Sequence, residues 1–276
     1  MSEPSVVAAW AQHQFAAKAF CEVTSAFESA GVPCLAVKGI VLSRLLYEAV
    51  EQRPMVDVDL RVRPRDLERA RRAARDRGWS VKSTSRQLGT FEMHVEHTLV
   101  EIESTIGPPG VCAIGVGEML ERAATVTSPE LGSHLEPELH DHALLLCVNA
   151  FKDKLVLAQT HAREDLLRLG ALPKFDPAVL VHRAHHARLT TLVGIVARWL
   201  GTDPRAEAWR RAADALPRRR RWYRAAYARA VRSSPEGVVA SGLARAASDS
   251  PLLRGKAVFL GLVGTLARVL DGGGSA

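Results

Sequence analysis

Cysteines and long apolar runs are both scarce in this sequence, and each scarcity excludes a class of protein. The four cysteines are far apart and form no C-x-x-C pair, which argues against a disulfide framework or a cysteine zinc site and favours a reducing compartment. The most apolar stretch near the end, residues 257–267, is eleven residues long, whereas a membrane-spanning helix needs about 20. The N-terminus lacks the pattern of a secretory signal. We therefore expect a cytoplasmic protein that does not associate with membranes.

Aromatic residues are also few, at 5% of the 276 residues, so leucine, valine and alanine must fill most of the core. Hydrophobic residues make up 47% and charged residues 24%, which is ordinary for a globular protein and excludes a mostly disordered chain. The length suits one or two domains. The net charge of +7 favours polyanionic partners such as nucleotides or nucleic acid, without choosing among them.

The first part of the chain alternates between the strand and helix periods. A helix is predicted over residues 6–30, a strand over 34–37, a helix over 40–48 and a strand over 55–62. A further helix opens at Asp66 and ends at Gly78, and a hairpin is predicted over residues 89–106. Interleaved strands and helices of this kind indicate an α+β fold with a mixed sheet and flanking helices.

From Pro137 onward only helical patterns remain. The predicted helices cover residues 137–160, 161–170, 176–201, 204–231 and 251–270. We therefore expect an all-helical C-terminal part, followed by a disordered tail over residues 271–276.

The pair Asp57 and Asp59 is the strongest local feature. Residues two apart on a strand point to the same face, so the two carboxylates project side by side. Adjacent like charges are unfavourable without a cation between them, and hard oxygen ligands suit Mg²⁺. Without further context, the same pattern equally fits a solvated strand face.

Two neighbouring motifs extend this pattern. Lys38 and Gly39 follow a strand and begin a helix, where free backbone N–H groups, a glycine and a lysine together favour phosphate binding. Downstream, Glu101 and Glu103 share one face of a predicted strand. If that strand pairs beside Asp57 and Asp59, one of the two glutamates completes a cluster of three carboxylates.

The segment from residue 36 to 79 resembles the core of the nucleotidyltransferase superfamily, and it is most similar to the bacterial group described as uncharacterised nucleotidyltransferases. The motifs that carry the resemblance are Lys38-Gly39, Tyr47, Arg53-Pro54, Asp57-Val-Asp59-Leu60 and Gly78-Trp79. Glu101 matches the third acidic position of the family. The likeness is clear over residues 30–105 and weaker over 135–170.

This resemblance implies a catalytic core over residues 1–130 and a helical acceptor domain over residues 131–270. It implies transfer of a nucleoside monophosphate from a nucleoside triphosphate such as ATP to a hydroxyl group of a small molecule, peptide or protein. Asp57, Asp59 and Glu101 would bind Mg²⁺ or Mn²⁺ and carry the catalysis. The nucleotide would be held by Lys38, Gly39 and Arg53.

Two alternatives remain open at this level. A basic run with aromatic neighbours is typical of nucleic-acid binding and favours an RNA acceptor; the run comprises Arg218, Arg219, Arg220 and Arg221. The chain also carries Ile40 where the superfamily favours a small hydroxyl residue, and Glu101 where aspartate is commoner. These two departures support a non-catalytic accessory protein on the same fold.

Overall fold

The computed structural model describes residues 6–85, 89–153, 161–218, 220–234 and 237–271, with residues 83–85 and 262–271 described by their backbone alone. The chain divides into two compact units. Unit 1 comprises residues 1–105 and 115–138, and unit 2 comprises residues 106–114 and 139–276. The predicted boundary at residue 130 lies inside unit 1, and residues 272–276 of the predicted tail lie outside the described residues.

Unit 1 contains the strands and four of the described helices. Its helices are α1 (Val6–Ser29), α2 (Gly39–Leu46), α3 (Leu67–Asp76) and α4 (Val116–Arg122), with 3₁₀ turns at Val50–Gln52 and Pro64–Asp66. Its strands are β1 (Cys34–Val37), β2 (Asp57–Val62), β3 (Ser80–Ser85), β4 (Thr90–Val95), β5 (Thr98–Glu103), β6 (Ala124–Ser128) and β7 (Gly132–Glu136).

Within the described residues the seven strands form one mixed sheet in the order β3-β4-β5-β2-β1-β7-β6. The central strand β2 pairs antiparallel with β1 and parallel with β5. The predicted hairpin is confirmed as β4 and β5, which pair antiparallel. The mixed sheet followed by a helical part confirms the fold class expected from the sequence.

One face of the sheet forms an apolar core. Val58, Leu60 and Val62 of β2 are fully buried there and cluster with Phe20 and Phe27 of α1. These alternating residues leave the charged positions of β2 on the opposite face. The alternation seen in the sequence therefore separates the core from the charged side of the sheet.

The regular secondary structure of unit 2 is entirely helical within its described residues. Its helices are α5 (Leu139–Lys152), α6 (His161–Gly170), α7 (Pro177–His186), α8 (Thr190–Leu200), α9 (Glu207–Ala215), α10 (Arg221–Ser233), α11 (Val238–Arg245) and α12 (Pro251–Asp271). The predicted end of the first helix, residues 154–160, lies outside the described residues.

Two helices predicted as continuous are each broken in the structure. The helix predicted over 176–201 is divided into α7 and α8 at Arg188, whose φ of 58° is incompatible with a right-handed helix. The helix predicted over 204–231 is divided into α9 and α10 after Pro217, where Arg220 has a φ of 55°. The hydrophobic spacing is helical on both sides of each break. It therefore gives no sign that a single arginine between the two helices adopts a left-handed backbone conformation.

Candidate active site

The turn from β1 into α2 holds Lys38 in an uncommon conformation. Its φ of 57° and ψ of −130° lie outside the regions that non-glycine residues usually adopt. The Lys38 carbonyl accepts hydrogen bonds from the backbone N–H groups of Val41 (3.2 Å) and Leu42 (2.8 Å), which begins the helix. The turn therefore fixes the backbone of Lys38 at the end of β1.

Gly39 lies in a closely packed position, where a larger residue would displace its neighbours. A Cβ atom at this position would lie 2.8 Å from Nη1 of Arg53 and 3.1 Å from Cβ of Met55. Arg53 is itself buried, and His13 donates from Nε2 to the Arg53 carbonyl at 2.9 Å. The predicted nucleotide-binding residues Gly39 and Arg53 are thus direct neighbours.

The register of the sheet aligns the acidic residues. Asp59 of β2 lies directly opposite Glu101 of β5, and Arg61 lies opposite Glu103. Asp57, two residues before Asp59, shares its face of the strand. The adjacency required for a three-carboxylate cluster is therefore present, with Glu101 as the third residue.

Two cations neutralise part of this face. Lys38 forms an ion pair from Nζ to Oδ1 of Asp59, whose side chain is 3% exposed. Arg61 is fully buried and its Nη2 lies 2.6 Å from Oε2 of Glu103. Burial alone would lower the pKa of Lys38, but the charges of Asp59 and Glu103 raise it above its ordinary value. The ammonium group is therefore charged.

The carboxylates of the cluster repel one another. Burial raises the pKa of Asp57, and the charge of Asp59 raises it further against the opposing effects of Lys38 and Arg53. Burial and then the charge of Asp59 raise the pKa of Glu101 to about 7. Partial burial combined with like charges is the condition in which a bound cation stabilises a carboxylate site.

The chemistry of these ligands fits a hard divalent cation, but the side chains are not gathered around one position. Within the described residues, no three Asp, Glu, His or Cys side chains are close enough to hold a metal ion as they stand. Lys38 already binds Asp59. The three carboxylates share one face, and a cation that binds Oδ1 of Asp59 would compete with Lys38 for it.

Sequence reasoning missed Arg61 and made no prediction about the environment of Ile40. Arg61 follows Asp59 by two residues, so the same alternation that revealed the aspartates places it on their face. Ile40 is fully buried in the apolar core of unit 1. The position where the superfamily favours a hydroxyl residue is therefore a packing position in this chain.

The basic run in unit 2 divides into different environments. Arg220 donates to the carbonyls of Ala246, Ala247 and Ser248, and its guanidinium lies 3.9 Å from the ring centroid of Tyr223. Arg218 and Arg221 are exposed, and Arg219 lies outside the described residues. Arg220 is therefore structural, while its exposed neighbours remain accessible to a ligand.

An arginine cluster and an exposed tryptophan adjoin this run. Burial and the charges of Arg224 and Arg218 lower the pKa of Arg198 to about 10. Arg224 donates to the Pro217 carbonyl at 3.0 Å. Trp222 at the start of α10 is 69% exposed. This part of unit 2 combines concentrated positive charge with an accessible aromatic surface.

None of the helices within the described residues is long and apolar enough to cross a membrane.

Comparison with known proteins identifies one sequence family. A family model described as "Uncharacterised nucleotidyltransferase" matches residues 4–202. The match confirms the resemblance that was based on the motifs around Lys38, Asp57 and Asp59. No curated protein sequence is significantly similar to the chain.

The chain is also similar to several solved structures. The antibiotic-resistance factor ANT(2″)-Ia is 13% identical, with a TM-score of 0.41 over 55% of this chain and 81% of that chain. A tRNA nucleotidyltransferase complexed with a primer tRNA and an ATP analogue is 14% identical, with a TM-score of 0.30 over 90% of this chain and 86% of that chain. An apo form of a tRNA-processing enzyme is 14% identical, with a TM-score of 0.29 over 90% of this chain and 78% of that chain.

Proposed function

Because the chain belongs to the family of uncharacterised nucleotidyltransferases, we propose that it transfers a nucleoside monophosphate from ATP or another nucleoside triphosphate to a hydroxyl group of a small molecule, peptide or protein. The observation that supports this reaction most directly is the alignment of Asp59 with Glu101, with Asp57 on the same face. The Lys38 turn lies at the same end of the sheet, since Val37 pairs with Asp59.

In the proposed reaction the acceptor oxygen forms a bond to the α-phosphorus. The bond from that phosphorus to the bridging oxygen breaks, and pyrophosphate leaves with the electron pair. Mg²⁺ or Mn²⁺, when bound, stabilises the negative charge on the attacking and leaving oxygens. Asp57, Asp59 and Glu101 are its proposed ligands, and Glu101 also accepts the proton of the acceptor hydroxyl.

The nucleotide phosphates are assigned to the basic groups beside the acidic cluster. Lys38 and Arg53 provide two cations, and the turn at Gly39 adds backbone N–H groups at the start of α2. In this proposal the helical unit provides the acceptor site.

Calorimetry with each of the four nucleoside triphosphates and Mg²⁺ tests this function. We expect the wild type to bind at least one of them, and Asp57→Asn to weaken that binding by about tenfold or more because the variant lacks one metal-binding charge. Asp76→Asn, an exposed aspartate at the end of α3, is the matched control. A folded wild type that binds no nucleoside triphosphate would contradict the proposal and favour the non-catalytic alternative.

An RNA acceptor is the second candidate, and the exposure of Trp222 beside basic residues favours it. Arg218 and Arg221 are exposed with it. Arginine side chains bind phosphates, and aromatic rings stack on unpaired bases, with stacking alone contributing about 1–3 kcal/mol per base.

Fluorescence anisotropy with a labelled single-stranded RNA tests this second candidate. The double variant Arg221→Ala with Trp222→Ala should bind about tenfold more weakly than the wild type, with a shallower dependence on salt. Arg229→Ala, exposed further along α10, is the control. Equal affinities for the wild type and the double variant would exclude this surface as an RNA site.

A further inference from the structure

The ion pair between Lys38 and Asp59 lies where charged groups lose much of their hydration. The Asp59 side chain is 3% exposed and that of Lys38 is 21% exposed. Removing one partner of a buried ion pair leaves an uncompensated charge, which is strongly unfavourable. A cation that binds Oδ1 of Asp59 competes with the Lys38 ammonium for that oxygen.

The neighbouring ion pair of Arg61 and Glu103 weakens the attraction of Glu103 for Lys38. The charge of Glu103 also attracts Lys38, but Glu103 is held by the fully buried guanidinium of Arg61 at 2.6 Å. Arg61 in turn repels Lys38. This pair therefore leaves Asp59 as the favoured carboxylate for Lys38.

The backbone at Lys38 allows the side chain to change partners while the turn stays in place. The Lys38 carbonyl is fixed by two hydrogen bonds from the first turn of α2, and Arg53 and Met55 leave little room beside Gly39 for the backbone to move. The lysine side chain has four carbons and rotates about several single bonds. Movement of the ammonium away from Asp59 needs only side-chain rotation.

We propose that Lys38 is an exchangeable counter-ion, which holds Asp59 in the nucleotide-free protein and transfers to the triphosphate when nucleotide and metal arrive. This inference rests on the proposed function. A metal ion alone competes with the ammonium for Asp59 and brings no anion with it, whereas a nucleotide–metal complex supplies a cation for Asp59 and phosphates for Lys38. Metal and nucleotide therefore each strengthen binding of the other, by the same factor.

Titration with Mn²⁺ in the absence of nucleotide, followed by electron paramagnetic resonance, tests the exchange. Lys38→Met removes the competing ammonium, so we expect it to bind Mn²⁺ about tenfold more tightly than the wild type. The same variant should bind ATP with Mn²⁺ more weakly. Lys18→Met is the matched control, because Lys18 forms an exposed ion pair with Glu96 elsewhere in unit 1.

A second variant separates the charge of Lys38 from the stability of the turn. Lys38→Gly also removes the ammonium, and glycine readily adopts a φ of 57°. We expect it to bind Mn²⁺ more tightly than the wild type, as Lys38→Met does. Circular dichroism verifies that each variant is folded.

The outcomes separate this inference from the proposed function. If the wild type binds ATP with Mn²⁺ but neither folded Lys38 variant binds Mn²⁺ alone more tightly, the exchange is wrong and the proposed function stands. If the folded wild type binds neither Mn²⁺ nor ATP, both are wrong. Tighter Mn²⁺ binding in both Lys38 variants, with the control unchanged, supports the exchange.

Discussion

Single residues determine the electrostatics of the candidate site, and Asp59 interacts with several of its charged groups. It binds Lys38, lies opposite Glu101 and raises the pKa values of both Asp57 and Glu101. The negative charge of Asp59 therefore makes ionisation of Asp57 and Glu101 less favourable.

Glu101 should make the metal-free protein less stable as the pH rises. Its pKa increases from an ordinary value of 4.5 to about 7 in the folded protein. The folded state therefore retains a proton that the unfolded state releases, and stability present below about pH 4.5 is lost as the pH rises through about 7. Because Glu101 is partly exposed, we expect a loss of about 1–2 kcal/mol.

Urea unfolding in the presence of a chelator, at about pH 5 and about pH 7.5, measures this effect. Glu101→Gln should reduce the difference in unfolding free energy between the two pH values, whereas Glu121→Gln, exposed on α4, should not. If Glu101→Gln retains the full pH dependence of the wild type, the raised pKa does not belong to Glu101.

Alternation in the sequence was sufficient to predict which acidic residues share a face of the sheet, but not the contacts of Lys38. Alternation along β2 identified the shared face of Asp57 and Asp59, and a second alternating strand offered Glu101 and Glu103. The choice of Glu101 as the third carboxylate came from the family resemblance. The ion pair of Lys38 depends on the pairing of β1 with β2 and on the competition from Arg61, which no local pattern contains.

At the scale of elements, helices and strands were predicted correctly where the spacing of hydrophobic residues was regular, and they were missed or joined where that spacing was weak or the backbone turned. The hairpin of β6 and β7 was missed, although residues 124–128 include β-branched side chains and Gly132 has a φ of 64°. Both strands are short and β6 is largely exposed, so the pattern of buried residues is weak. The breaks at Arg188 and Arg220 were missed because neither residue is a glycine.

The start of α8 depends on a residue distant in sequence. Asp249 accepts hydrogen bonds from Oγ1 of Thr190 at 2.7 Å, from the backbone N–H of Thr191 at 3.1 Å and from Oγ1 of Thr191. A carboxylate at a helix N-terminus also interacts favourably with the helix dipole. Asp249 therefore performs the role that a local N-cap residue usually has.

Asp249→Ala should lower the free energy of unfolding by about 1–3 kcal/mol, because it leaves several donors without this acceptor. Chemical denaturation measures the change. Glu207→Ala is a suitable comparison, since it removes an exposed carboxylate at the start of α9 whose ion pair with Arg211 is largely solvated. Equal losses for the two variants would show that Asp249 is not important for α8.

At the scale of the whole molecule, the bounds of the two units determine where the chain can be truncated without removing part of the sheet. Residue 130 lies in the turn between β6 and β7, so a cut there removes β7, which pairs with β1. The first part of the chain also contains residues 106–114, which belong to unit 2 and include the buried Ile106 and Val111.

A fragment of residues 1–138 should therefore remain more soluble than a fragment of residues 1–130. The shorter fragment leaves one edge of β1 without a strand partner, which promotes association between chains. Size-exclusion chromatography of both fragments at equal concentration measures the difference. If the shorter fragment is equally monomeric, the pairing of β1 with β7 does not protect that edge.

The parallel pairing of β2 with β5 also protects the chemistry of the site from errors in folding. If β5 slipped by one residue along β2, Val100 or Ile102 would take the place of Glu101, and charged side chains would enter the apolar core. Such a misfolded state would lose both its core packing and its acidic cluster. The apolar face thus opposes any one-residue slip, and a chain that buries Val100 and Ile102 also places Glu101 on the charged face.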